Sequence, residues 1–317
     1  MSELKKVQES LKPFDRYFND EVMEFLGQHS IHILTVEPIT TGKALEPSFR
    51  LFCHNQTYFV KFSSYERFSA SFLSELSELN RTSESHLLLP FLSKNITSIK
   101  RQLNVYEWIG GNNLKAILSD ASSSIIAEYG YRCGGVLQRI HMKMNTQTDS
   151  CDRIVRSFEE YMARLEHESF AFINQFDYRD FFYKNCNALL LGNNHCFVHM
   201  DFKPKNIILY NDAITVVDID SSMIGNPWMD FYDKAFSLYP EKETFNAALI
   251  RAYFDDNISD DFWEFFKVLS VYALIQNIAW FLRRRDTQYI RDLESYLWSN
   301  YNGFKDLVPK WIRGGLI

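Results

Sequence analysis

The stretch FVHMDFKPKNIILYNDAITVVDID, residues 197–220, decides the fold of this chain. It contains the spacing His-x-Asp-x4-Asn, with His199, Asp201 and Asn206 at the fixed positions. A further carboxylate, Asp218, follows two valines near the end of the stretch. A histidine in a loop and an asparagine that caps a turn are each common in proteins of every kind. Their combination at this spacing is specific, and it favours a chemical role over a purely structural one.

The second half of the stretch reads as a β-hairpin. Residues 206–210 and 213–217 are strand-like, and they flank an Asn-Asp turn pair. Because the strands of a hairpin run antiparallel, we expect Asn206 and Asp218 at the same end of it. The loop that carries Asp201 adjoins that end.

Oxygen ligands and a carboxylate in this order are typical of phosphoryl transfer. That reaction needs a group that orients and deprotonates the attacking hydroxyl, and it needs a divalent metal held against the phosphates by hard oxygen ligands. Asp201 is the candidate base, and Asn206 and Asp218 are candidate metal ligands. Lys203 is expected to reach the transferred phosphate as a cation. His199 completes the predicted catalytic loop, where we expect it to hold the backbone by hydrogen bonds.

The residues before position 110 read as a small strand-rich lobe. Residues 1–30 have a helical pattern that Pro13 interrupts. Beyond them, short runs rich in β-branched and aromatic residues alternate with turn residues, and one stretch has apolar residues at helical spacing. The expected strands are residues 31–39, 49–53, 57–62, 87–92 and 99–109, and the expected helix is residues 66–80.

After Gly110 and Gly111 the pattern is mostly helical, and the hairpin is its one clear strand-like interruption. This order of elements predicts an α+β, bilobal, protein-kinase-like fold, with a small antiparallel-sheet N-lobe and a large, mainly helical C-lobe. We place the nucleotide-binding lobe, with its N-terminal helical extension, at residues 1–109. The catalytic and substrate-binding lobe is expected at residues 110–317.

Composition narrows the range of partners. The chain has 317 residues and 46% apolar content, which is enough for a substantial core. Its net charge of −6 provides no basic field for DNA or RNA, and it suits a cationic small molecule better. The five cysteines are scattered without a Cys-x-x-Cys pair, which argues against a disulfide framework and a zinc site.

The sequence indicates neither a signal peptide nor a membrane-spanning helix. The N-terminal residues carry charges throughout and lack an apolar signal core, so export is not indicated. The most apolar long stretch, residues 268–282, contains Gln276 and Asn277, and it is too short and too polar to span a bilayer. We therefore expect a buried helix there and a cytoplasmic protein.

These motifs resemble those of the aminoglycoside phosphotransferase and choline kinase family, small-molecule kinases that share the protein-kinase fold. Most members of that family read His-Gly-Asp-x4-Asn, then an Ile-Asp pair, then an Asp-x-x-x-Asp-like stretch. This chain matches with Val217-Asp218 and with GNPWMDFYD at residues 225–233. It departs from the pattern at Met200, where glycine is usual, and in DFKPKN, which is closer to the motif of protein kinases.

The resemblance implies roles for four residues of the motif. Asp201 would be the catalytic base, Asn206 and Asp218 would bind Mg²⁺, and Asp230 would brace the catalytic loop from the following helix. Mg²⁺ is the implied metal, and ATP or GTP is the implied phosphate donor.

The resemblance also implies a lysine and a glutamate in the small lobe. Lys61, in TYFVKFSS, lies at the place of the lysine that binds the nucleotide phosphates. Glu75 and Glu78 lie on the expected helix, and we favour Glu75 as the partner of Lys61. The phosphate-covering loop would be TTGKALEPS, which has a single glycine, Gly42.

The stretch NVYEWIGGNNL resembles the connector between the lobes of a kinase. Backbone groups of Glu107 to Ile109 would bind the purine edge there. Backbone hydrogen bonding leaves no signature in side chains, so ATP and GTP remain equal candidates. The oligomeric state has no signature in the sequence either.

Three rival functions remain at this stage. A protein kinase is disfavoured, because the interval between Asp218 and Asp230 is too short for an activation segment and contains no Ala-Pro-Glu-like anchor. A catalytically inactive regulatory module with a kinase fold is a second rival, although a candidate for every catalytic group is present. A metabolite kinase, acting on choline, ethanolamine, homoserine, methylthioribose or a ketoamine, is the third.

An aminoglycoside or another aminated antibiotic is the leading acceptor, mainly through the resemblance. Acidic residues near the C-terminal helices could bind such a cation together with nearby aromatic rings. The local pattern of the same residues favours a helix N-terminus followed by core aromatics over a cation site. The acidic residues are Asp255, Asp256, Asp260, Asp261 and Glu264, and the aromatic residues are Trp263, Phe265, Phe266 and Tyr272.

Overall fold

The computed structural model divides the chain into two compact units. The first comprises Met1–Asn112 and Ile207–Asp220, and the second comprises Asn113–Asn206 and Ser221–Ile317. The described residues are 10–39, 46–64, 72–74, 76–78, 87–141, 151–167, 175–192, 196–236, 240–282 and 287–314.

The first unit contains a five-stranded antiparallel sheet in the order β1-β2-β3-β5-β4. It is preceded by a 3-10 turn at Lys12–Phe14 and by helix α1 at Asp20–Gln28. The strands are β1 (Ile33–Pro38), β2 (Ser48–Cys53), β3 (Thr57–Ser64), β4 (Leu92–Ile96) and β5 (Arg101–Glu107). This confirms the antiparallel character predicted from the alternating composition.

One predicted strand of this sheet is wrong. Residues 87–92 were expected to be extended and paired, but the regular strand begins only at Leu92, and Leu87 makes an isolated bridge to Val216. Pro90 lies between them, and it has no backbone N–H to donate to a ladder. The expected helix at residues 66–80 is described only at 72–74 and 76–78, which are helical.

Strand β3 places Lys61 on one face of the sheet. Tyr58, Val60 and Phe62 are buried on one face, so the alternation of a strand places Lys61 on the other. Lys61 lies opposite Asn104 of β5 in the antiparallel register. The alternation of β3 therefore fixes the face of the sheet on which Lys61 lies.

The hairpin predicted after Asn206 is present in the first unit. Strands β8 (Ile207–Tyr210) and β9 (Ala213–Val216) pair antiparallel, as the sequence predicts. The loop residues Asn211 and Asp212 have φ angles of 48° and 62°. Two left-handed residues make the turn type whose twist matches a hairpin, and Asn and Asp tolerate that conformation.

The hairpin groups with the strand-rich residues, whereas the sequence-based division places it in residues 110–317. The backbone N–H of Leu88 donates to the Val216 carbonyl over 2.8 Å. Gly111 has a φ of 113°, and a Cβ there would lie 2.3 Å from the Leu209 carbonyl oxygen. A backbone contact this close requires glycine, and it ties the end of the connector to the hairpin.

The second unit is mainly helical, and it also contains the short strands β7 (Cys196–Val198) and β10 (Met223–Gly225), which pair antiparallel. The two-residue strand β6 (Asn112–Asn113) lies at the boundary of the units. The helices are α2 (Leu114–Leu118), α3 (Ser123–His141), α4 (Cys151–His167), α5 (Gln175–Asn185), α6 (Pro240–Tyr253), α7 (Asp260–Leu282), α8 (Thr287–Asn300) and α9 (Lys310–Gly314). Turns of 3-10 helix lie at Cys186–Leu190, Pro204–Asn206 and Pro227–Ala235, and Ile219–Ser221 adjoins the boundary.

Two glycines allow α3 and α6 to pack backbone against backbone. A Cβ at Gly130 would lie 2.4 Å from the Phe245 carbonyl oxygen, and a Cβ at Gly134 would lie 2.2 Å from that of Leu249. No real Cβ approaches an oxygen so closely. The pair of glycines therefore sets the distance between the two helices.

Helix α7 is the core helix of the second unit. Among the described residues it is the one helix with the length and apolar content that a membrane span requires, and 67% of that apolar window is buried inside the protein. Phe265, Leu269 and Leu274 are fully buried in it. The buried helix predicted for residues 268–282 is confirmed.

Candidate active site

Lys61 is surrounded by three carboxylates in the first unit, and this group is called the Lys61 cluster. Its ammonium nitrogen lies 2.7 Å from Asp218 Oδ1, 2.5 Å from Asp220 Oδ2 and 3.5 Å from Glu46 Oε2. The side chain of Lys61 is 13% exposed. The lysine predicted to bind phosphate and the aspartate predicted to bind metal are thus in direct contact.

Burial and charge act against each other on this lysine. Burial opposes the charged ammonium, but Asp218 and Asp220 outweigh it and raise the pKa of Lys61. Lys61 is therefore fully charged at neutral pH and suited to bind phosphate oxygens.

The two additional carboxylates interact with each other. Burial, followed by the hydrogen bond to Glu46, raises the pKa of Asp220. Burial also disfavours the charged form of Glu46, but hydrogen bonding from Asp220 and the charge of Lys61 lower its pKa. Two carboxyl groups that share one lysine thus divide into one that holds a proton more readily and one that stays charged.

Asp218 has an unusual backbone conformation. Its φ is 66°, in the left-handed region, which Asp adopts more readily than most residues. Its side chain is 37% exposed, in contrast to the buried Asp220. The backbone turn presents one carboxylate outward and the next inward.

A chain of hydrogen bonds supports the buried side of the Lys61 cluster. Ser63 Oγ donates to Asp220 Oδ2 over 3.3 Å, and Asn104 Nδ2 donates to Ser63 Oγ over 3.2 Å. Ser93 Oγ in turn donates to Asn104 Oδ1 over 2.7 Å. Three strands of the sheet therefore hold the position of Asp220.

Fewer contacts are known for the other residues that were predicted to bind the nucleotide. Gly42 and Glu75 lie outside the described residues, so their predicted roles stay predictions. Glu78 is exposed on its short helical segment. Glu107 is the exposed last residue of β5, and Ile109 is half-buried just beyond it. Their predicted contact with a purine also stays a prediction.

The predicted catalytic loop, residues 199–206, lies in the second unit between β7 and a 3-10 turn. Asp201 is its central side chain, and it is 16% exposed. The Lys203 ammonium forms an ion pair with Asp201 Oδ1, and the Lys205 ammonium lies 3.1 Å from Oδ2. Burial opposes the ionised form of Asp201, but Lys203 and Lys205 outweigh it and lower the pKa of the carboxyl.

Asn206 is oriented by Asp201. Its Nδ2 donates to Asp201 Oδ2 over 2.7 Å and to the Asp201 carbonyl over 2.8 Å. Because the amide nitrogen points toward Asp201, the amide oxygen Oδ1 points away from it. The spacing Asp-x4-Asn therefore brings the carboxylate of Asp201 and the carboxamide of Asn206 together through one turn of 3-10 helix.

Asp230 holds the backbone of this loop. It is 1% exposed, and it accepts hydrogen bonds from His199 N over 2.8 Å and Met200 N over 2.5 Å. Burial disfavours its ionised form, but hydrogen bonding from His141 and from the loop lowers its pKa. Met200 has a φ of 62°, so Asp230 holds the loop at the residue where the family usually has glycine.

A buried histidine that the sequence reading missed completes this support. His141 Nε2 lies 2.9 Å from Asp230 Oδ2, and His141 Nδ1 lies 2.8 Å from the Tyr253 hydroxyl. A carboxylate only accepts hydrogen bonds, so Nε2 of His141 carries a proton and donates it to Asp230. A histidine at a helix end carries no distinct sequence signal, and only the packing of α3 against α6 reveals its role.

His199 is fully buried next to Asp201. Its Nδ1 accepts a hydrogen bond from the Asp201 backbone N–H over 3.2 Å. The Lys234 ammonium donates to the carbonyl of Phe202 on the other side of the loop. The arrangement agrees with the expectation that His199 holds the loop.

Each unit offers one of the donors that a hard divalent cation prefers. Mg²⁺ favours carboxylate and carboxamide oxygens, and these are the carboxylate of Asp218 in the first unit and the amide oxygen of Asn206 in the second. In the part of the chain that the structure describes, no group of three His, Cys, Asp or Glu side chains forms a metal cage.

Solved structures share this architecture. The chain aligns with the ADP-bound aminoglycoside phosphotransferase APH(2'')-Ib at 21% identity and a TM-score of 0.56, covering 90% of this chain and 99% of that one. The streptomycin-ATP-APH(2")-IIa ternary complex aligns at 18% identity and 0.61, covering 86% and 95%. The GDP complex of aminoglycoside 2'-phosphotransferase-IIIa aligns at 13% identity and 0.59, covering 89% and 98%. These likenesses confirm the predicted α+β, kinase-like fold.

Fold and site together define the class of kinase-like phosphotransferases. The sequence model described as the phosphotransferase enzyme family, APH, matches residues 36–265. The chain therefore belongs to the APH phosphotransferase family, which confirms the resemblance drawn from residues 197–233. No curated protein matches the sequence.

Proposed function

We propose that this protein is a small-molecule kinase that transfers the γ-phosphate of ATP or GTP to a hydroxyl group. The observation that carries the proposal is the geometry of Asp201. It is a largely buried carboxylate, hydrogen-bonded by Asn206 and ion-paired with Lys203, on a loop whose backbone Asp230 holds. These contacts support the proposal because a general base has to be ionised and held in a fixed position.

In this proposal the two groups of residues have separate tasks. Lys61 binds phosphate oxygens of the nucleotide, and Asp218 and Asp220 keep its ammonium in place until the nucleotide arrives. Asp201 orients the acceptor hydroxyl and takes its proton. The acceptor oxygen bonds to the γ-phosphorus, the bond from that phosphorus to the bridging oxygen breaks, and a nucleoside diphosphate leaves.

Mg²⁺ is part of the proposal, with Asn206 and Asp218 as its protein ligands. When bound, the ion neutralises negative charge on the phosphates. The nucleotide donor is supported by relatives solved with ADP, ATP and GDP. Because both purines occur among them, ATP and GTP are both proposed as donors.

Two acceptor classes have separate support. Aminated antibiotics are supported by the names of structural relatives, one of which was solved with streptomycin. The acidic residues that favoured a cation in the sequence have ordinary structural roles, since Asp256 pairs with Arg251 at 2.6 Å and Asp255 accepts from Gln138 at 3.0 Å. Metabolites such as choline, ethanolamine, homoserine, methylthioribose or a ketoamine are the second class, because the same catalytic residues would serve them.

A coupled assay tests the reaction. Purified protein with Mg²⁺ and ATP or GTP is offered aminoglycosides, aminosugars, choline and hydroxylated acids, and nucleoside diphosphate and phosphorylated product are measured together. Asp201→Ala is expected to lower transfer by about 10³-fold or more while nucleotide still binds. Activity that survives within tenfold would show that Asp201 is not the base.

The rival reading as an inactive regulatory module makes the opposite prediction. An inactive module would show no turnover with any acceptor, and its melting temperature would not respond to Mg²⁺-nucleotide. The retention of Lys61, Asp201, Asn206 and Asp218 in ordered contacts favours the enzyme.

A further inference from the structure

An arginine lies on the same face of the first unit's sheet as Lys61. On β2, Phe49 and Leu51 are buried in the core that α1 covers, so the alternation of the strand places Arg50 on the opposite face. Arg50 pairs with Phe59 of β3, two residues before Lys61. The spacing of residues and strands in a sheet then separates the Cα atoms of Arg50 and Lys61 by about 8 Å.

Two aromatic rings hold the guanidinium group of Arg50. Its Cζ lies 4.4 Å from the ring centre of Phe52 and 4.2 Å from that of Trp108. Trp108 belongs to the connector, and its backbone N–H donates to the Thr57 carbonyl over 3.1 Å. A guanidinium that packs against rings keeps its N–H donors in its own plane, where they remain able to bind acceptors. The contact with Trp108 places these donors beside the segment that is predicted to bind the purine.

One of these donors is buried without an acceptor. Among the described residues, Arg50 Nε has no hydrogen-bond partner, although it is shielded from solvent. Glu37 lies opposite Arg50 in the register of β1 and β2, but its side chain is exposed, and the described residues contain no ion pair between the two. A buried N–H without an acceptor is unfavourable, and a ligand that supplies an acceptor removes this penalty.

The chemistry of the purine edge determines which base complements such a group. Arginine has only donors, and guanine presents two neighbouring acceptors, O6 and N7. Adenine presents N7 alone at the same edge, because its neighbouring N6 amino group is itself a donor. An arginine beside the base therefore favours guanine over adenine.

Building on the proposed kinase function, we infer that this protein binds guanine nucleotides in preference to adenine nucleotides, and that Arg50 discriminates between the two bases. The guanidinium donates to O6 and N7 of guanine, while Lys61 binds the phosphates of the same nucleotide. Both side chains lie on one face of the sheet, so a single nucleotide can contact them together. Because Phe52 and Trp108 already hold the guanidinium, little ordering of the side chain is required on binding.

The first test compares nucleotides that differ only in the purine. ADP, GDP and IDP are titrated into the protein with Mg²⁺ in a calorimeter, so that the readout does not depend on an acceptor or on turnover. We expect the Kd for GDP to be about tenfold or more below that for ADP. Hypoxanthine keeps O6 and N7 but lacks the 2-amino group of guanine, so IDP is expected to bind within about threefold of GDP.

The second test attributes the discrimination to one side chain. In Arg50→Met, which keeps a long stem without donors, the Kd values for GDP and IDP should rise about tenfold, and that for ADP by less than about threefold. Arg50→Lys keeps the charge but not the planar fork, so it should restore only part of the preference. Arg16→Met is the matched control, with no change expected, because Arg16 packs over Tyr17 at 4.5 Å on the side of the sheet that α1 covers.

The outcomes distinguish the inference from the kinase proposal. Equal Kd values for GDP and ADP, or a preference for ADP, overturn the inference and leave the kinase proposal intact. A preference for GDP that persists in Arg50→Met, or an equal loss of affinity for all three nucleotides in that variant, overturns the discriminating role of Arg50. Failure of every nucleotide to bind the unsubstituted protein contradicts both proposals. The melting temperature of each variant shows whether it is folded.

Discussion

Replacing Asp230 by asparagine tests how the catalytic loop is held. The change keeps the shape of the side chain but substitutes an NH₂ group for one carboxylate oxygen. Asp230 Oδ2 accepts from His199 N and His141 Nε2, and Oδ1 accepts from Met200 N. The variant therefore turns an amide hydrogen toward a backbone N–H at a position that is 1% exposed.

The magnitude follows from these three hydrogen bonds. If the amide oxygen of the variant takes the place of Oδ2, the bond from Met200 is lost, at a cost of about 1.5–3 kcal/mol for a bond to a charged group. The two hydrogen bonds that remain no longer have a charged acceptor. Their strength is about halved, which costs roughly 1 kcal/mol each. We expect the free energy of unfolding of the second unit to fall by about 3–5 kcal/mol.

The pH dependence gives a signature that is specific to this carboxylate. The pKa of Asp230 is lower in the folded protein than the value of about 3.9 in an unfolded chain. Its contribution to stability is therefore complete above pH ~4 and is lost as the pH falls through the folded-state pKa. The Asp230→Asn variant lacks this group, so its acid-side loss of stability should be smaller.

The assay is urea unfolding followed by tryptophan fluorescence. Five of the six tryptophans lie in the second unit, so the signal reports mainly on it; they are Trp228, Trp263, Trp280, Trp298 and Trp311. Asp292→Asn, at an exposed position of α8, is the matched control, with less than about 0.5 kcal/mol expected. A loss below about 1 kcal/mol in Asp230→Asn, or an unchanged acid-side slope, would refute the reasoning.

Two further predictions address the metal and the helix packing. Asp218→Ala should weaken Mg²⁺-ATP binding by tenfold or more in a calorimetric titration, and an unchanged Kd would contradict the assignment of Asp218 as a metal ligand. Gly134→Ala should destabilise the second unit by about 1–3 kcal/mol or more in the same urea assay, because its Cβ would overlap a carbonyl of α6. Gly135→Ala is the matched control: its Cβ meets only the flexible Arg139 side chain at 3.6 Å, and better helix propensity should stabilise it by up to about 1 kcal/mol.

The catalytic loop and the hairpin could be predicted because their signals are local. Asp201 and Asn206 are five residues apart, and a single turn brings their side chains together. The turn pair Asn211-Asp212 fixes the hairpin through left-handed backbone angles, which the residue types themselves favour. Contacts between residues that are close in the sequence can be predicted from a single sequence.

The partners of Lys61 could not be predicted in full because they depend on long-range packing. Asp220 is 159 positions away from Lys61 in the sequence, and Glu46 lies two residues before the start of β2. A carboxylate in a loop has the same appearance in the sequence whether it is solvated or paired. The sequence-based prediction of Glu75 as partner of Lys61 lies outside the described residues, and it did not include Glu46 and Asp220, which contact Lys61.

The cation site considered near the C-terminal helices shows the same limit. Asp260 and Asp261 stand close to aromatic residues in the sequence, but in the structure they begin α7 while the aromatic side chains turn into its core. Lys203 and Lys205 both pair with Asp201, so positive charge is concentrated at one carboxylate of an acidic chain. Net charge averages over both sets of residues and hides the local excess. Because recognition depends on the charges next to the ligand, the acidic balance of the whole chain is a weak guide to the charge of the acceptor.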